Sequence, residues 1–189
     1  MKGIRYFEEK GEKNTEETLQ LVRKRVQELG IKSVVVASTH GYTGLEAAKA
    51  LKDLGVNIIA VTICQGYEKE GWTMTREERR ELEEAGVKVL TCLHALGDDV
   101  NSAFTEKYGG KSLAEVAART LYLFSQGMKV CVEIVLMAAD AGLIGVDEEV
   151  MAVGGTGGGA DTAVVIKPSY PRKFLDLRVL EIICKPRHG

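Results

Sequence analysis

The apolar residues of this chain form two kinds of pattern. Short runs of valine, isoleucine and alanine are almost continuous, as in Val34-Val35-Val36-Ala37. Such runs predict strands that are buried on both faces, because a strand with one solvated face would alternate apolar and polar residues. We place strands at residues 33–38, 56–63 and 87–92, and two more within residues 150–166.

Between the strands, apolar residues recur every three or four positions, which is typical of helices with one buried face. Helices are predicted at residues 14–30, 45–55, 75–86, 112–124 and 130–141, with Gly127 past the end of the fourth. Polar pairs three residues apart predict helix N-terminal caps. These pairs are Asn14 with Glu17, Thr75 with Glu78, and Ser112 with Glu115.

Strands that alternate with helices predict right-handed parallel crossovers. The two strands within residues 150–166 have too short a connection for a crossover, so the second is expected to be antiparallel to the first. Residues 177–184 predict a terminal strand at an edge or an interface. The predicted fold class is therefore α/β: a three-layer αβα sandwich with a mostly parallel central sheet and an antiparallel last strand.

The composition indicates one globular domain and excludes several partners. The 189 residues are 45% hydrophobic and 28% charged, with a net charge of -2. We interpret residues 1–189 as a single domain, with an N-terminal arm or short edge element at 1–13 and a C-terminal strand extension at 167–189. The charge gives no reason to expect nucleic acid or an anionic membrane surface as a partner. No apolar run could span a bilayer and no secretion signal is evident, so a cytoplasmic location is expected.

The four cysteines are far apart in the sequence. Cys64, Cys92, Cys131 and Cys184 form no CxxC pair, which argues against a local zinc knuckle and against a dense disulfide framework. Their apolar neighbours predict buried free thiols.

The loop at residues 38–44 has the composition of a phosphate site. It joins a buried strand to a helix and contains hydroxyls and glycines, which allow close approach to the unpaired N–H groups at the helix start. Neither of the two common nucleotide fingerprints is present, and hydroxyl residues and glycines also serve as ordinary caps and turns. A second loop, at residues 154–159, contains five glycines, more than a hairpin turn requires.

Three further segments are candidates for chemistry. Residues 64–74 form a long connection whose Gln65, Tyr67 and Trp72 could cover a planar ligand, although Trp72 could instead only hold the loop on the domain. His94 lies near two acids, Asp98 and Asp99, although acids in such a position are more often solvated caps. Glu133 is the interior acid of an apolar helix. It either faces the helix dipole in the first turn or contacts a ligand.

Taken together, these segments resemble the carboxyl-terminal α/β domain of pyruvate kinase, which carries that enzyme's allosteric effector site. The resemblance covers residues 14–166 and is strongest in the two loops and in the strand Ile58-Ile59-Ala60-Val61-Thr62. The small-residue helix before Gly142 and the hairpin with Asp161-Thr162 also match. In that family both loops face the effector's phosphates, so the resemblance implies a phosphate-binding cleft between them.

The chain is also similar to a stand-alone, mostly archaeal branch of this superfamily, for which the resemblance implies a flavin mononucleotide (FMN) type of ligand. The phosphate would lie on the first loop, and the ring system near Gln65 and residues 155–158. The residues expected at the ligand are Ser38, Thr39, His40, Gly41, Tyr42, Thr43, Gly44, Thr62, Gln65, Gly155, Thr156, Gly157, Gly158 and Asp161.

Two features depart from the enzyme's domain. The chain of 189 residues is too short to include a catalytic barrel of about 250 residues, so the resemblance does not imply pyruvate kinase activity. Residues 66–74 and 93–110 have no clear counterpart there.

Three hypotheses of function follow. The leading one is a small-molecule binding protein with a phosphate-binding cleft for FMN or a similar phosphorylated ligand. The alternative is a flavin-dependent oxidoreductase or a phosphate-ester-handling enzyme that uses His94, Asp161 or Glu133. The third is an interaction subunit that assembles through its terminal strand, for example as a homo-oligomer, and is allosterically tuned by ligand.

Overall fold

The predicted strands join into one seven-stranded sheet in the computed structural model, which describes residues 3–188. Met1, Lys2 and Gly189, which fall in the predicted arm and extension, lie outside the described residues. The strands are β1 (Arg5–Phe7), β2 (Ser33–Ala37), β3 (Asn57–Val61), β4 (Lys88–Leu90), β5 (Val150–Thr156), β6 (Gly158–Lys167) and β7 (Arg178–Pro186). Their order in the sheet is β1-β7-β6-β5-β2-β3-β4.

The sheet is mostly parallel, as predicted. β2 pairs in parallel with β3 on one side and with β5 on the other, so that Val35 lies between Ile59 and Ala152. β6 is antiparallel to both of its neighbours, and the other pairings between the described strands are parallel. Consequently β2, β3, β4 and β5 all end at the same edge of the sheet.

Helices cover both faces of the sheet. They are α1 (Thr15–Leu29), α2 (Tyr42–Leu51), α3 (Arg76–Glu84), α4 (Val100–Tyr108), α5 (Leu113–Tyr122) and α6 (Gln126–Asp140). Alternate side chains of β2 point to opposite cores: Val34 and Val36 pack with residues of α1, α2 and α3, whereas Val35 packs with α6. The three-layer αβα sandwich is therefore confirmed.

Two of the three predicted capping pairs are confirmed. Thr75 with Glu78 and Ser112 with Glu115 form reciprocal capping boxes at α3 and α5. The prediction for Asn14 with Glu17 is wrong. Asn14 ends a short 3₁₀ turn and has helical backbone angles, so its side chain donates back to the carbonyls of Glu9 and Gly11 instead of capping α1.

The predicted start of α6 is also wrong. The helix begins at Gln126, where the Ser125 hydroxyl accepts a hydrogen bond of 3.0 Å from the Met128 N–H. Gly127 comes after the end of α5 at Tyr122, but it lies inside the first turn of α6 and does not itself end α5. For the same reason Glu133 lies in the interior of the helix, and the interpretation as a first-turn acid that faces the dipole fails.

The insertion at residues 93–110 has structure that the sequence patterns did not predict. It contains α4, which has no buried residue and hence no strong apolar period. The terminal strand β7 is not at the edge along its whole length, because β1 pairs with its last residues, Cys184–Pro186. The N-terminal edge element of the sequence prediction is therefore this β1.

All four cysteines are free thiols, as predicted, but Cys92 is only half-buried, so the prediction of burial is wrong for that residue. Cys64, Cys131 and Cys184 are buried, and burial raises the pKa of the Cys184 thiol to about 12. Of the helices that residues 3–188 form, none combines the length and the apolar character that a membrane span requires.

Close contact between α6 and β6 leads to a prediction at Gly127. A Cβ atom there would lie 2.2 Å from the Thr162 hydroxyl oxygen and 2.5 Å from the Thr162 Cβ. Helix propensity alone would favour alanine by about 1 kcal/mol. Overpacking a dense core costs about 1–3 kcal/mol, which should exceed this gain in helix propensity. Gly127→Ala should therefore lower the urea midpoint of unfolding. Gly145→Ala, where a Cβ meets nothing within 4 Å, is the control. Stabilisation by Gly127→Ala would contradict the packing described.

Candidate functional site

The loop between β2 and α2, residues 38–44, is held in place by the ends of two strands and by α3. The Ser38 N–H donates to the Val61 carbonyl at 2.9 Å, and the Ser38 hydroxyl accepts from the Gly44 N–H at 3.0 Å. A Cβ on Gly44 would lie 2.7 Å from a methyl carbon of Leu82, so the glycine allows α2 to approach α3. α2 begins at Tyr42, and its first N–H groups have no acceptor within the helix.

The turn between β5 and β6 is the glycine-rich loop of the sequence analysis. Much of its glycine content has a packing reason. A Cβ on Gly155 would lie 2.4 Å from the Gly159 carbonyl oxygen. A Cβ on Gly159 would lie 2.5 Å from the Glu12 Cα and 2.4 Å from the Thr15 hydroxyl oxygen. The hairpin therefore needs glycines to lie against the start of α1, whether or not a ligand is bound.

A cavity of about 490 Å³ lies between this hairpin, the β2–α2 loop, the ends of β2 and β3, and α6. Its volume falls in the range of small-molecule sites, about 300–1,000 Å³. Most of the residues that the resemblance implicated line it. They are Ser38, Thr39, His40, Tyr42, Thr43, Thr62, Gly155, Gly157 and Gly158.

The other implicated residues do not line the cavity. Gly41 and Gly44 belong to the β2–α2 loop but lie next to Leu82 of α3 and not in the cavity lining. Thr156 and the exposed Gln65 are also outside the lining. Asp161 is fully buried and has a structural partner set: its carboxylate accepts from the Gly11 N–H at 2.9 Å and from the Thr162 hydroxyl at 2.8 Å.

The long loop after β3 is packed by its own aromatic rings. Tyr67 and Trp72 stack with their ring centroids 5.3 Å apart, and Trp72 remains 52% exposed. Neither ring lines the cavity.

Lys129 and the apolar side chains of α6 also line the cavity, and neither was predicted from the sequence. Lys129 donates to Glu133 across one helical turn, and the Glu133 carboxylate also accepts from the Leu96 N–H at 3.0 Å. The side chains of this pair are only 12% and 6% exposed, and both residues line the cavity. The sequence did contain a signal for this ion pair, because a lysine and an acid four residues apart lie on the same face of a helix. Other lining residues that were missed are Glu12, Tyr122, Gln126, Val130, Ile134 and Met137.

The acids after β4 have two different roles. Asp99 is the N-cap of α4, as the alternative interpretation had it. Asp98 instead accepts from the Tyr67 hydroxyl at 2.6 Å and lies 2.5 Å from His94 Nδ1. The hydrogen bond with His94 lowers the pKa of Asp98, against the opposing effect of burial and with a further contribution from Tyr67. His94 and Asp98 both line the cavity, so the acid–base candidates of the enzyme hypothesis that reach it are His94 and Glu133.

A family model described as the pyruvate kinase alpha/beta domain matches residues 16–166 of the 189-residue chain. The chain belongs to this family. The match covers well over half of the sequence and includes the β2–α2 loop, α6 and the β5–β6 hairpin, so the cavity walls lie almost entirely inside the pyruvate kinase alpha/beta domain. Strands β1 and β7 lie outside the matched residues and extend the domain's sheet at one side.

The buried ion pair in the cavity wall leads to a stability prediction. Glu133→Gln keeps the shape of the side chain and an acceptor for the Leu96 N–H but removes the carboxylate that is hydrogen-bonded to Lys129. We expect a loss of about 3 kcal/mol in the free energy of unfolding, the cost of removing one partner of a buried pair. The control is Glu148→Gln at the exposed pair with Lys32, which should leave the urea midpoint unchanged. Equal midpoints for the two variants would show that the Lys129–Glu133 pair is solvated.

Proposed function

We propose that this protein binds a phosphorylated small molecule, FMN or a similar ligand, in the cavity between the β2–α2 loop and the β5–β6 hairpin. The single observation that carries the proposal is the convergence at one cavity of a helix N-terminus, three hydroxyl residues and the backbone of the hairpin. The N–H groups of the first two residues of α2 and the hydroxyls of Ser38, Thr39 and Thr43 are suitable donors for a phosphate, whereas the Gly44 N–H is already bound to the Ser38 hydroxyl.

The cavity lining carries three carboxylates, Glu12, Asp98 and Glu133, against one lysine, so the proposal assigns recognition of the anion to backbone dipoles and not to side-chain charge. Lys129 is a cation of the lining, but it is already paired with Glu133. The phosphate would therefore depend on N–H and hydroxyl donors and on the helix dipole, which favours negative charge at its N-terminus. His40, at the rim, contacts Glu78 at 3.3 Å.

The opposite wall supports a ligand with an apolar, flat portion. Val130, Ile134 and Met137 lie on one face of α6 at spacings of three and four and line the cavity together with Ile63. Apolar walls with a few placed polar groups are typical of cofactor pockets. A flavin ring against this face would leave its phosphate directed toward the β2–α2 loop.

The proposal is tested by an absorbance scan of the purified protein and by thermal unfolding with FMN, riboflavin and inorganic phosphate. A ligand at 100 times its dissociation constant stabilises the native state by about 2.7 kcal/mol, so FMN should raise the unfolding temperature clearly. Riboflavin, which lacks the phosphate, should bind more weakly.

Variants that introduce a negative charge test where the phosphate binds. Thr43→Asp and the more exposed Thr39→Asp place a carboxylate beside the phosphate and should abolish the FMN shift. Thr120→Asp adds the same charge on the exposed surface of α5, outside the cavity lining, and should keep the shift. No shift with FMN in the unmodified protein would contradict the flavin proposal. Loss of binding in Thr120→Asp as well would contradict the placement of the phosphate.

A further inference from the structure

Three potential metal ligands meet beside the cavity although they are distant in the sequence. Cys64 follows β3, and His94 and Asp98 follow β4. These strands are parallel neighbours, with Val61 opposite Leu90, so the segments that leave them lie side by side. One donor atom from each residue, a thiol sulfur, an imidazole nitrogen and a carboxylate oxygen, lies within 4.8 Å of the other two.

We propose that Cys64, His94 and Asp98 form a binding site for one divalent cation of the zinc class. Thiolate, imidazole and carboxylate are the donors that Zn²⁺ takes in proteins, at about 2.0–2.3 Å. Donor atoms within 4.8 Å of one another need only small side-chain rotations to share such an ion. Three protein ligands leave a fourth position open, and since His94 and Asp98 line the cavity, that position would face it.

The surroundings of Asp98 and His94 support a built site. Asp98 is the one non-glycine residue with a positive φ among residues 3–188, at 55°. Its backbone and its hydrogen bond from Tyr67 hold the carboxylate beside His94, whose side chain is only 13% exposed. A polar partner that orients a ligand in this way is the usual second layer of a metal site. The 2.5 Å distance between the Asp98 carboxylate and His94 Nδ1 is shorter than the separation of two ligand atoms on one ion. We therefore expect the carboxylate to rotate toward the cation when it binds.

The site is separate from the proposed phosphate position and does not depend on it. The alternative for the same three residues is a Tyr67–Asp98–His94 hydrogen-bond network with an uninvolved thiol nearby. The two differ in whether the sulfur of Cys64 bonds to an added metal ion.

The test is titration of the metal-stripped full chain with Co²⁺ under reducing conditions, followed by competition with Zn²⁺. A thiolate bound to Co²⁺ has a charge-transfer band in the near ultraviolet, and tetrahedral Co²⁺ has visible bands. Cys64→Ser should abolish the charge-transfer band, and His94→Gln should abolish tight binding. Tyr67→Phe, which removes only the bond that orients Asp98, should weaken Co²⁺ binding roughly 10–100-fold.

Cys92→Ser is the matched control, because Cys92 is a half-buried thiol on the same β4 connection and is not among the three donors. It should keep both the band and the affinity. Absence of the band in the unmodified protein, or a band lost in Cys92→Ser and kept in Cys64→Ser, overturns the proposal. Circular dichroism without metal verifies that each variant folds. If Cys64→Ser does not, the Tyr67→Phe affinity decides: an unchanged value overturns the site.

Discussion

Parallel pairing of β2 with β3 and β5 is the constraint on which the rest of this structure depends. Val35 lies between Ile59 and Ala152, and this register lets the residues that follow the three strands arrive at one edge of the sheet. The β2–α2 loop, Thr62 and the β5–β6 hairpin therefore surround one cavity. β4, in register with β3, adds His94 and Asp98 to the same edge.

Close packing explains features that would otherwise be attributed to a ligand. Gly155 and Gly159 let the hairpin lie against its own strand and against the start of α1, and Gly44 lets α2 approach Leu82. Glycine density is thus weaker support for a ligand site than it appeared from the sequence. The hydroxyls and the helix N-terminus support the site better, since Thr39 and the start of α2 face the cavity and the hairpin glycines partly serve packing.

Helix α6 combines two demands that compete. It is the most deeply buried helix of the domain, yet its first half carries Lys129 and Glu133 toward the cavity. The two side chains form an ion pair with each other, and the Glu133 carboxylate also accepts a hydrogen bond from the Leu96 N–H in the β4–α4 connection. A buried ion pair of this kind contributes little net stability but makes the loss of either partner costly. The arrangement couples the cavity wall to the segment that presents His94 and Asp98.

The layers, most strands and the two loops of the cavity were predictable from the sequence, because continuous apolar runs and helical periods report burial directly. The N-terminal caps at Thr75 and Ser112 could also be predicted from the sequence, because a capping box is an interaction between residues three positions apart. Contacts between residues that are distant in the sequence were not predictable in this way. The Asp161 carboxylate accepts from the Gly11 N–H, and Cys64 meets His94 and Asp98 only because β3 and β4 are neighbours. Local patterns contain no information about such contacts, because they are set by strand order and not by spacing along the chain.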